Sequence, residues 1–182
     1  MKHAKQLSLT FDDGIAALNE FKKLRVLGLY GKKKGENRYS ITRKYVPKKA
    51  AEIFKGFIPN ELMPHLIGIT EAEILPLAPH IHTDEQCVIN FYRNTSGEVT
   101  SIYEGNIEIY DGDLEDKGNG YYLVNPKFLL KTEEFTAKDG DVWLLNTKQP
   151  HSVESSTKIL KANRVVVQAF FSLPYEQVTS YL

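Results

Sequence analysis

The stretch Pro79-His80-Ile81-His82-Thr83-Asp84-Glu85-Gln86-Cys87-Val88-Ile89-Asn90-Phe91-Tyr92 decides how the chain reads. Its second half is a run of β-branched and aromatic residues with the character of a buried strand. Its first half sets two imidazoles and a carboxylate at alternate positions. In an extended segment alternate side chains share a face, so His80, His82 and Asp84 would point the same way. His82 and Asp84 then offer one imidazole and one carboxylate to a single ion, and a third ligand has to come from elsewhere. His151, in Gln149-Pro150-His151-Ser152-Val153, follows the turn-then-strand segment Asp139-Gly140-Asp141-Val142-Trp143-Leu144-Leu145-Asn146 and is the expected partner.

Around this stretch the chain is built from short runs rich in β-branched and aromatic residues, separated by turn signals: Ile67 to Leu77, Cys87 to Arg93, Val99 to Tyr110, Tyr121 to Val124, Val142 to Asn146 and Arg164 to Ser172. Many short strands of this kind make a barrel or a sandwich. The first third reads differently. A strand is expected over Gln6 to Phe11, then a helix capped by Asp12-Asp13 with Ile15, Leu18, Phe21 and Leu24 at helical spacing. A loop follows over Gly31 to Arg38, and Pro47 opens a second helix carrying Ala50, Ala51, Ile53 and Phe54. The expectation is one domain over 1–182, with a helical, basic covering region at 1–65 and a β core at 66–173.

Composition fits one folded unit. The chain has 182 residues, 42% apolar and 25% charged, with 12 Gly and 8 Pro, which excludes collagen, low-complexity tails and wholesale disorder. The single cysteine, Cys87, closes no internal disulfide, so a reducing, cytoplasmic setting is expected. The N-terminus has no apolar signal core, and no stretch reaches the ~18 apolar residues of a membrane span. A formal net charge of zero hides an asymmetry. Residues 1–60 hold 14 Lys and Arg against 5 Asp and Glu, leaving 9 against 18 for the remainder. Such a polar distribution suits either solvated loop charges or an edge for an anionic partner, and no zinc-finger or RNA-binding signature favours the second.

Two histidines and one carboxylate on one side of an ion leave the opposite positions open, the facial arrangement of non-haem Fe(II) oxygenases. Arg164 opens the most apolar run of the chain, Arg164-Val165-Val166-Val167-Gln168-Ala169-Phe170-Phe171, where a guanidinium needs an anion or an escape to water. Tyr92 and Asn90 share a face with Val88, and Gln168 shares one with Arg164, so all three are candidates to complete a polar pocket. Taken together, His82, Asp84, His151 and Arg164 in this order resemble the Fe(II)/2-oxoglutarate-dependent dioxygenases, particularly the prolyl-hydroxylase-like branch, over residues 66 to 173. That resemblance implies a mainly β fold with flanking helices, a double-stranded β-helix (a jelly-roll, cupin-like barrel). It also implies Fe(II) on His82, Asp84 and His151, 2-oxoglutarate held through its far carboxylate by Arg164, and O₂ as oxidant, with succinate and CO₂ released. His80 then lines the pocket. The chain departs from the family pattern in a longer gap from His151 to Arg164 and in having Val166 where a hydroxyl residue is usual.

Two rival readings stay open on the sequence. A cupin-type metal protein would use His80, His82, Glu85 and His151 as three imidazoles and one carboxylate, and would be an isomerase or an oxygenase that takes no 2-oxoglutarate. A non-catalytic β-sandwich would merely line a cleft with histidines. The acidic run Asp111-Gly112-Asp113-Leu114-Glu115-Asp116 does not fit a calcium loop, since Asp116 and Tyr122 stand where Gly and Glu are required. The prime substrate and the oligomeric state are not legible.

Overall fold

A computed structural model describes residues 1–9, 26–30, 40–45, 59, 62, 64–74, 77–109, 121–155 and 159–182. Within them lie twelve strands: β1 (Ala4–Leu7), β2 (Val26–Tyr30), β3 (Ser40–Tyr45), β4 (Leu66–Ile74), β5 (Leu77–His82), β6 (Cys87–Arg93), β7 (Val99–Gly105), β8 (Tyr121–Leu123), β9 (Leu129–Thr136), β10 (Val142–Asn146), β11 (His151–Glu154) and β12 (Ile159–Phe171). A short helix, Tyr175–Tyr181, closes the chain. The strands form two antiparallel sheets, one of seven in the order β1-β10-β6-β12-β4-β3-β2 and one of five in the order β8-β5-β11-β7-β9. No helix among the described residues is long and apolar enough to cross a membrane.

Period-two alternation sorts the side chains of the larger sheet. On β6, β10 and β12 the residues Cys87, Ile89, Phe91, Val142, Leu144, Val167, Ala169 and Phe171 face one way, into a cluster closed by Tyr175 and Val178 of the terminal helix. Val88, Tyr92, Trp143, Leu145, Val166 and Phe170 face the other way and meet Ile102 and Phe135 of the smaller sheet. This second cluster is the interior between the sheets, and Phe135 and Trp143 stack across it at 3.9 Å. Burial of these apolar faces is the main stabilising term, because only two apposed sheets remove both stripes from water.

The observed strands β6 and β10 coincide with the runs expected at Cys87 to Arg93 and Val142 to Asn146. The smaller sheet gains β9 and β11, which the sequence did not announce. Within the first 65 residues, β1, β2 and β3 are strands of the larger sheet. The two helices expected near Ile15 and Ala50, and the loops expected at Gly31 to Arg38 and around Asp113, lie outside the described residues.

Candidate metal centre

Local structure brings three histidines together. His80 and His82 stand two apart on β5 and therefore share a face. His151 opens β11 and is paired directly with His80 in the antiparallel ladder, so its side chain joins the same face. The ring centroids lie 4.2 Å (His80–His151), 5.3 Å (His82–His151) and 5.6 Å (His80–His82) apart. One potential ligand atom from each residue lies within 4.8 Å of the others. His82 also lies 6.1 Å, centroid to centroid, from Phe170, which joins the group to the apolar interior.

The alternation stops at His82. The backbone bends at Thr83 and Asp84, so the carboxylate of Asp84 is exposed and is not among the side chains that converge. The ligand set expected from the sequence, His82, Asp84 and His151, therefore differs from the group that the structure assembles, His80, His82 and His151. The physical cause is the end of the strand, which the spacing alone did not reveal. The carboxylate beside the group belongs to Glu85, which is buried and places Oε2 3.4 Å from Nδ1 of His82.

The second nitrogen of two of the rings is hydrogen-bonded. His80 Nδ1 lies 2.9 Å from the carbonyl oxygen of Ala78, and His151 Nδ1 lies 3.0 Å from that of Gln149. A carbonyl only accepts, so in both rings Nδ1 carries the proton and donates. Burial, reinforced by the neighbouring His82, lowers the His80 pKa to about 4. Burial, with His80 and His82 adding to it, also holds His151 well below its ordinary value. Both rings are thus neutral at pH 7, with Nε2 left as a lone pair. The carbonyls at His80 and His151 are outer partners of the kind that orient metal-binding imidazoles, and Glu85 Oε2 stands at ion-pair distance, 3.4 Å, from Nδ1 of His82. The donor set fits a divalent transition ion on this observation.

A second polar group lines the larger sheet on its inner face. Gln168 Nε2 donates to Asn90 Oδ1 at 3.2 Å across the β12–β6 pair, and Asn90 Nδ2 donates to the Tyr92 hydroxyl at 3.2 Å. Thr70 donates to Gln168 Oε1. Arg164 is buried, with its guanidinium carbon 5.0 Å from the centre of the Tyr92 ring. Burial raises the Tyr92 phenol pKa, and the Arg164 charge opposes that shift. Among the described residues no carboxylate lies within ion-pair distance of Arg164, and its Nε has no hydrogen-bond partner. The four residues read from the sequence as candidates for a polar pocket therefore form a chain of contacts, from Gln168 to Asn90, Asn90 to Tyr92 and Tyr92 to Arg164. Arg164 stands six residues before Phe170 on the same face of β12, about 20 Å along the strand.

No family model matches the sequence, and no curated protein does. Among solved structures, Escherichia coli YcfD superposes on 95% of this chain with a TM-score of 0.54 at 14% identity, using 50% of its own length. The chain folds as a jelly-roll, a double-stranded β-helix. Further matches are a second structure of YcfD, described as a ribosomal oxygenase from Escherichia coli, and vicilin from hazelnut, Corylus avellana. The former has a TM-score of 0.45 at 15% identity over 82% of this chain and 36% of that one; the latter has 0.45 at 9% over 81% and 32%. The chain spans half or less of the length of each. These likenesses concern the fold and do not point to the prolyl-hydroxylase-like branch.

Proposed function

We propose that the chain is a metal-dependent oxygenase in which His80, His82 and His151 hold one Fe(II), and in which Arg164, with Tyr92, Asn90 and Gln168, holds the far carboxylate of 2-oxoglutarate. The observation that carries this reading is the convergence of three imidazoles, two of them neutral with Nδ1 already committed to a carbonyl. Three facial nitrogen donors leave open positions, and iron bound there supplies activation of O₂ at a site that also takes a co-substrate. The chain's own part is to orient and to exclude water. Glu85 and the Ala78 and Gln149 carbonyls fix the rings. Phe170 and the apolar interior keep one wall of the site dry. Arg164 supplies a buried cation whose fork matches a carboxylate and which meets no carboxylate of the described chain. YcfD, described as a ribosomal oxygenase, is in keeping with this reading. The products are succinate, CO₂ and a hydroxylated substrate, and the free, buried Cys87 suits a reducing cytoplasm.

The exposed position of Asp84 favours a second reading, a cupin-type enzyme with three histidines and Glu85 that takes no 2-oxoglutarate. Titrating 2-oxoglutarate into the anaerobic Fe(II) protein separates the two. The first reading expects a visible charge-transfer band and at least a tenfold weaker co-substrate affinity in Arg164→Ala. The absence of that band at saturating Fe(II) removes 2-oxoglutarate from the account.

A further inference from the structure

The ladder between β5 and β11 fixes two of the three histidines and leaves out the third. β11 begins at His151, which pairs with His80, so the main chain of His82 lies beyond the end of that strand. What reaches His82 instead is the turn between β10 and β11. The His82 amide donates to the Thr147 carbonyl at 3.0 Å, and the Thr147 amide donates to the Gln86 carbonyl at 3.2 Å. The hydroxyl of Thr147, a fully buried residue, donates to the Glu85 carbonyl at 2.9 Å. Lys148 completes the set. Its Nζ donates to the carbonyl oxygens of both His82, at 3.1 Å, and Thr83, at 2.7 Å.

A lysine that served only solubility would extend into water. This one is folded back and partly buried, which costs rotamer entropy, and among the described residues no carboxylate meets it. Its charge is answered by two main-chain carbonyls, at the residue where β5 ends and at the next, where the backbone turns Asp84 outward. Lys148 also lies three residues before His151, so it joins the two segments that carry the histidines.

We propose that Lys148 is a positioning residue that locks His82 against His80 and His151 by clamping the His82 and Thr83 carbonyls. The inference rests on the metal reading of the three histidines, and it is tested with Co(II) alone on the full chain, with neither 2-oxoglutarate nor turnover involved. Co(II) affinity and the visible d–d spectrum are measured for the wild type, Lys148→Met and Lys148→Arg, together with melting of the metal-free proteins. The expected result for Lys148→Met is a roughly 10- to 100-fold loss of Co(II) affinity and an altered d–d band, with metal-free melting close to wild type. Lys148→Arg, which keeps donors for both carbonyls, is expected to restore affinity to within about threefold of wild type and to restore the spectrum. Wild-type affinity and spectrum in Lys148→Met overturn the proposal, as does a Lys148→Arg protein as impaired as Lys148→Met. Should Lys148→Met not fold, Lys148→Gln replaces it under the same criteria. Failure of the wild type to take up Co(II) removes the metal reading itself, and the clamp with it.

Discussion

Each imidazole of the candidate centre has two nitrogens, and the outer one decides what the inner one can do. Because Ala78 and Gln149 offer carbonyls to Nδ1, His80 and His151 are held in the tautomer that leaves Nε2 basic. Their lowered proton affinities have a consequence for stability. An unfolded histidine protonates near pH 6.5, whereas His80 in the fold protonates only near about 4, and His151 is likewise depressed. Between those values the unfolded chain binds more protons, so the stability contributed by the neutral rings is present above about pH 6.5 and is lost as pH falls toward 4. Chemical denaturation of the metal-free protein is expected to show a loss between pH 7 and pH 5 to which His80 alone contributes on the order of 1–2 kcal/mol, with His151 adding to it. His80→Gln should lessen that slope while His151 keeps part of it, and a flat wild-type profile would contradict the assignment. Asp84 and Glu85 give a paired test at the same scale. Glu85→Gln is expected to weaken metal binding about 10- to 100-fold through His82, while Asp84→Asn is expected to leave it within about threefold. The reverse outcome in calorimetric titrations would return the carboxylate role to Asp84.

Among the elements, runs rich in β-branched and aromatic residues were readable, the half-exposed Tyr121–Leu123 included, whereas Leu129–Thr136 and His151–Glu154 were not. Cys87–Arg93 and Val142–Asn146 are buried on both faces and read as continuous apolar runs. Leu129–Thr136 forms the edge of the smaller sheet, and its Lys131-Thr132-Glu133-Glu134 run hides the alternation from which a strand is recognised. Two of the three histidines followed from clustering and spacing. The sequence read His80 as pocket lining beside His82 and Asp84, because period two makes His80 and Asp84 equivalent neighbours of His82, and the bend at Thr83 and Asp84 is what separates them. The connections between strands carry their own predictions. Thr147→Ala removes a buried hydroxyl from the Glu85 carbonyl and is expected to cost about 1–3 kcal/mol in urea unfolding. At the end of β7, Gly105 has φ 139°, and a Cβ there would stand 2.2 Å from the Phe128 carbonyl oxygen. Gly105→Ala should therefore destabilise by more than about 1 kcal/mol. An unchanged midpoint in either variant would show that the local geometry is relaxed at no cost.

For the whole molecule, the two sheets enclose an interior that is apolar through Val88, Val166 and Phe170 and polar at a few chosen places. The histidine group hangs from the smaller sheet and the Arg164 network from the larger, so a ligand bridging them would report on how the sheets face each other. Trp143 is the single tryptophan of the chain and stacks on Phe135 within this interior, which makes its fluorescence a built-in reporter of binding. An ion that binds the folded chain and not the unfolded one raises stability by mass action, about 2.7 kcal/mol at a hundredfold excess over Kd. The most direct measurement is anaerobic Fe(II) binding, with stoichiometry by metal analysis and melting followed through Trp143, on wild type and His151→Ala. The account predicts one tightly held iron per chain with a clear rise in melting temperature, both lost in His151→Ala. Sub-stoichiometric iron with identical melting of metal-free and metal-treated wild type would contradict it.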